Sequence, residues 1–77
     1  MSWKDIKGEN MSTFYDVLQL LKSFGIVIYM KERQYMLQMV EYEINELNRL
    51  GLISNEDYIR SKVIIKQEIN KLDEGMR

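Results

Sequence analysis

The sequence predicts an all-α fold, a small three-helix bundle with a short extended linker between helices one and two. Three observations predict it. Apolar residues recur three and four positions apart in three separate stretches. Capping residues open the first and third stretches, and glycines close the first and second. The chain of 77 residues has no Cys and no His, so neither a disulfide nor a zinc site of thiolate or imidazole can staple another kind of small fold. Stability must then come from packing helix on helix, or from a second copy of the chain.

Residues 1–10 carry four charges, a glycine and two isolated apolar side chains, Trp3 and Ile6, without periodicity. They read as a disordered N-terminal extension to a single domain over residues 11–77. Met11 opens the patterned region and is an alternative start. Thr13 is a good N-cap, with Asp16 three residues on as a short capping box. Phe14, Val17, Leu18 and Leu21 then share one face, and Gly25 stands where a helix ends in a left-handed residue. Helix one is expected from Thr13 to Phe24.

Ile26, Val27, Ile28 and Tyr29 are β-branched or aromatic, which suits extended chain. A lone strand has no partner in this sequence, so a buried connection laid across the bundle is expected. Helix two follows from about Lys31 to Leu50, with Leu37, Val40, Ile44 and Leu47 on one face. Gly51 stops it, and Leu52 stands at the hydrophobic position of a Schellman cap. Ser54 caps helix three, whose expected apolar face is Tyr58, Ile59, Val63, Ile65, Ile69 and Leu72; residues 73–77 are expected to fray. The short connection from Gly51 to Ser54 makes helices two and three antiparallel neighbours.

Eleven basic and twelve acidic residues give a formal charge of −1, against a strong polyanion binder. Its distribution is uneven. From Glu41 to Asp57 there are five acids and one base; from Tyr58 to Leu72 there are four bases and one acid. Opposite signs on adjacent helices help specify the hairpin. Ile26 to Met30, five residues, is the longest apolar run, far short of a membrane span. The start lacks a secretory signal pattern, so a cytoplasmic location is expected.

Little in the sequence supports catalysis. The four glycines are isolated, and none belongs to a phosphate-cradling loop. Glu43 and Glu46, at i and i+3, are a carboxylate pair, but acid–base work needs a water-excluded pocket that a bundle this small has little room for. A solvated acidic face explains them. No enzyme activity, cofactor, metal or small-molecule substrate is expected.

Two features point to binding. Lys31 and Arg33 fall in the opening turn of helix two, where each cation costs a few tenths to about 1 kcal/mol against the dipole. With Lys22 and the adjacent Tyr29, free N–H groups and bases there suit a single-stranded nucleic acid. Tyr35, Met39 and Tyr42, spaced i, i+4 and i+7, form a stripe away from the Leu37–Val40–Ile44 face. Tyr and Met are enriched at protein interfaces. Lys62, within the apolar arc of helix three, is expected to bury its stem and snorkel its head.

The runs Phe14-Tyr15-Asp16-Val17 and Leu20-Leu21-Lys22-Ser23-Phe24-Gly25, then Ile28-Tyr29 and Arg33, resemble the YqgQ-like family of small helical proteins of Gram-positive bacteria. Glu43-Ile44, Glu46-Leu47, Leu52-Ile53, Asp57-Tyr58 and Gln67-Glu68 continue the likeness, which covers roughly Met11 to Ile69. It implies a three-helix protein, with single-stranded nucleic-acid binding suggested for the family. Members commonly carry a Gly after the linker tyrosine, where Met30-Lys31 stands here. Ile44 to Ile69 also resembles a C-terminal helical hairpin module associated with oligomerisation. The leading expectation is a non-catalytic interaction domain acting through self-association, as a homo-oligomer, or through a protein partner at Tyr35, Met39 and Tyr42. The alternative is a single-stranded nucleic-acid (RNA/DNA) binding protein using Lys22, Tyr29, Lys31 and Arg33.

Overall fold

The computed structural model describes residues 11–75, so the extension expected over residues 1–10 and the last two residues lie outside the described part. Three helices follow in order: α1 (Phe14–Lys22), α2 (Arg33–Arg49) and α3 (Asn55–Gly75). α1 is shorter than expected at its C-terminal end, and α3 continues three residues past Leu72.

The caps explain where the helices begin. Thr13 Oγ1 accepts from the Asp16 amide at 3.3 Å, and the Asp16 carboxylate accepts from the Thr13 amide at 3.0 Å, completing the capping box. The Ser12 amide adds a third bond to the same carboxylate, at 2.9 Å. Ser54 Oγ caps α3 through the Asp57 amide at 3.0 Å.

The stops of α1 and α2 share one arrangement. After α2, the Leu52 amide bonds Leu47 O at 2.9 Å and the Gly51 amide bonds Asn48 O at 3.0 Å. After α1, Ile26 bonds back to Leu21 at 3.0 Å and Gly25 to Lys22 at 2.8 Å. Both are Schellman caps, and both glycines have positive φ, +81° at Gly25 and +73° at Gly51. The chain reverses after Gly51, so α2 and α3 lie antiparallel and form the main packing of the molecule, with α1 laid chiefly against α3.

The core draws on all three helices: Phe14, Val17 and Leu21 from α1, Met36, Leu37, Val40, Ile44 and Leu47 from α2, Ile64 and Ile65 from α3, and Met11 ahead of them. Burial of each such aliphatic or aromatic side chain contributes roughly 1.5–3 kcal/mol. α3 is rotated from the expected face. Ile59 and Val63 are exposed, while Ile64 and Ser61 are buried. The hydroxyl of Ser61 donates to the Met11 sulfur at 3.4 Å, so the polar atom at that tight position is satisfied.

The connection between α1 and α2 is buried on one side only. Ile26 and Ile28 pack against the core, while Val27 and Tyr29 stand in solvent, Tyr29 at 88% exposure. This alternation has the two-residue period of extended chain. Half of the expected burial is absent because one pass of chain over a small bundle has nothing above it.

Gly51→Ala tests the turn. A Cβ there would meet nothing within 4 Å, so the whole cost is the left-handed backbone. Urea unfolding should show a loss of about 1–2 kcal/mol, and Gly51→Asn a smaller one. A neutral Gly51→Ala would remove this account of the hairpin.

A candidate interaction surface

The 17 residues of α2 turn their apolar arc inward, which carries Tyr35, Met39 and Tyr42 to the outside. All three are exposed, at 52%, 41% and 57%. The structure therefore assembles the stripe that the spacing predicted and leaves it open to solvent. The stripe continues in charge at both ends. Glu32, the N-cap, is exposed and makes no side-chain capping bond. Glu46 and Arg49 follow at the far end, where the Glu46 carboxylate accepts from Arg49 Nη2 at 2.7 Å and from Nε at 3.3 Å. That bond holds the Glu46 carboxyl below its ordinary range.

The second set of candidates falls at the end of α1, in the connection, and at the start of α2. Lys22, Tyr29 and Lys31 are exposed, and among the described residues no hydrogen bond or ion pair joins them. Arg33 is engaged elsewhere. Its Nη2 lies 2.8 Å from Glu68 Oε1, and its guanidinium sits 4.6 Å from the centroid of the Phe14 ring. One side chain of α2 thus touches α1 and α3 together. Lys71 Nζ adds a second contact to Glu68, at 3.2 Å. The dipole cost of a cation at this helix start is offset by a carboxylate and a ring face, a pairing and a cation–π contact.

Lys62 is half-buried, and its head reaches the surface, where it is paired. Its Nζ lies 2.8 Å from Glu41 Oε2 and 3.0 Å from Asn45 Oδ1, and Tyr58 Oη donates to that same amide oxygen at 3.2 Å. These bonds seam α2 to α3. Below the seam a shallow hollow is lined by Leu37, Ile69 and Leu72, with Gln34, Gln38, Glu41 and Asp73 at its rim. Of the two carboxylates at Glu43 and Glu46, the second is the one tied to Arg49. Sequence spacing carried no sign of the Arg33–Glu68–Phe14 cluster. Ser61 stands between Arg60 and Lys62, and its local sequence carried no sign that it is buried.

The fold and this surface define a class, the small three-helix domain presenting an aromatic and methionine stripe on its middle helix. The chain belongs to the YqgQ-like family, whose model matches residues 11–71. It is 34% identical over 65 residues to the uncharacterized protein YqgQ of Bacillus subtilis (strain 168), a match spanning 84% of this chain and 92% of that protein. No solved structure matches the chain. No helix of the described residues is long and apolar enough to cross a membrane.

Acid pH tests the Arg33 cluster. The hydrogen bond from Arg33 is the largest cause lowering the Glu68 carboxyl below its ordinary value of 4.5. A lowered folded-state value means stabilisation that is complete above the ordinary value and is lost as pH falls through the folded one. Urea midpoints should therefore drop between about pH 5 and about pH 3, and Glu68→Gln should flatten that drop while lowering the midpoint at neutral pH. Asp16, lowered chiefly by the Ser12 amide, and Glu46, lowered by the bond from Arg49, supply the residual slope. Equal slopes in the parent and Glu68→Gln would show that the pair contributes nothing.

Proposed function

We propose that this protein is a non-catalytic interaction domain of the cell interior whose Tyr35–Met39–Tyr42 stripe docks on another protein chain. One observation carries the reading. Three large side chains of interface-favoured types stand side by side on a helix face that the protein's own core leaves uncovered. A folded domain gains nothing from holding two tyrosines and a methionine in water at one place. A flat helix face with a polar margin suits protein contact rather than enclosure of a small molecule.

The test is a photoreactive phenylalanine analogue incorporated at Tyr42 in the native host, with the same analogue at the exposed Lys66 as control. A discrete protein adduct is expected from position 42 and none from position 66, and Met39→Glu should abolish the adduct without changing helical content. Absence of an adduct at 42 ends this reading.

A second reading, binding of single-stranded nucleic acid, draws on the exposure of Tyr29 beside Lys31 and on the first turn of α2, which lacks a side-chain cap. It rests on Lys22, Tyr29 and Lys31, with Arg33 held by Glu68. Fluorescence anisotropy with a short single-stranded oligonucleotide tests it. Affinity should fall steeply with salt and weaken in Lys31→Glu, as phosphate contacts require. A salt-independent signal, or none, removes it.

A further inference from the structure

The chemistry along the stripe of α2 names its partner. Glu32, Tyr35, Met39, Tyr42, Glu46 and Arg49 follow one another at spacings of three and four, so they form one continuous seam on the outer face of the helix. From the proposal that this face docks on another chain, we infer that the other chain is a second copy, its α2 lying antiparallel across the first.

The argument is self-complementarity. A two-fold axis passing between residues 40 and 41 sets Glu32 opposite Arg49 of the second copy, Tyr35 opposite Glu46, and Met39 opposite Tyr42. Each pair then recurs with the copies exchanged, as an isologous contact requires. The central pairs bring a thioether to an aromatic ring, a favourable contact. The next pairs bring a phenol O–H to a carboxylate acceptor. The outer pairs bring opposite charges together at both ends of a seam about 25 Å long. A parallel arrangement would instead place Glu32 on Glu32, Glu46 on Glu46 and Arg49 on Arg49. Like charges facing each other disfavour it, so the same residues that attract in one orientation oppose the other.

Two further observations fit this occupant. Glu32 has no partner among the described residues, where its carboxylate caps nothing and makes no ion pair. Arg49 keeps most of its side chain exposed, 66%, even while bonded to Glu46, so its guanidinium still has donors to offer. The core leaves this face uncovered along the whole helix, with Tyr35, Met39 and Tyr42 all exposed. One helix pair falls at the small end of interface sizes, and the dimer belongs to the weak, micromolar class.

Sedimentation equilibrium of the full chain over a concentration series tests the arrangement. The parent should pass from 9.3 kDa toward twice that mass as concentration rises. Glu32→Arg sets cation against cation at both ends and should weaken dimerisation by about tenfold. Arg49→Glu sets anion against anion and should do the same. The double variant Glu32→Arg/Arg49→Glu restores both pairs with their signs exchanged and should return to within about threefold of the parent. Glu32→Arg breaks no side-chain bond among the described residues, so it remains decisive if circular dichroism shows that Arg49→Glu has lost helix. A chain that stays monomeric at millimolar concentration, or a double variant no tighter than the singles, overturns the second-copy assignment. If the adduct at position 42 then has the mass of a different protein, the docking reading stands and this inference alone falls. No adduct at all removes both.

Discussion

Burial of the inner arc of α2 is the constraint on which the rest depends. Met36, Leu37, Val40, Ile44 and Leu47 are shared between two neighbours, so the rotation of this helix about its axis leaves no freedom. α3 must run antiparallel to it, because five residues join them and the Schellman turn at Gly51 folds the chain straight back. α1 covers the side that remains. Once these positions are set, whatever α2 carries on its far side faces water. The stripe is thus a consequence of core packing, and its exposure follows from the same rotation that buries Ile44.

Electrostatics refines this frame without building it. Lys62 reaches across to Glu41 and Asn45 as the charge asymmetry between the two helices suggests, whereas Arg33 and Glu68 run against it, the base on the acidic helix and the acid on the basic one. Surface pairs of this kind are typically worth 1 kcal/mol or less. Arg33 is better placed than most, because its planar head lies on the Phe14 ring while it bonds Glu68, and three helices meet at one guanidinium.

Much of this was legible in the sequence, and the failures have physical causes. Caps and stops came through well: Thr13 with Asp16, Gly25, Gly51 and Ser54 act locally, through bonds between residues within a few positions of each other. The inner face of α2 was legible for the same reason, its period being unambiguous. α3 was not, because Tyr58, Ile59, Val63, Ile64, Ile65 and Ile69 put apolar side chains almost all the way round the helix. Only the position of its neighbours decides which are covered, and they cover Ile64 rather than Ile59 or Val63. The role of Arg33 was hidden more deeply. Its partner is 35 residues away and its ring 19, separations that no helical period connects. Of the candidate interface, the positions could be read from spacing, while exposure itself required the structure.

The sulfur of Met11, held inside the bundle by the Ser61 hydroxyl, extends the core two residues ahead of the first helix cap. A fragment cut to begin at Ser12 would keep every helix and every cap intact. It would also open a methionine-sized hole against the middle of the longest helix and strand an alcohol beside it. Side-chain volume thus makes Met11 part of the core, one residue ahead of the Ser12 amide that bonds the first cap.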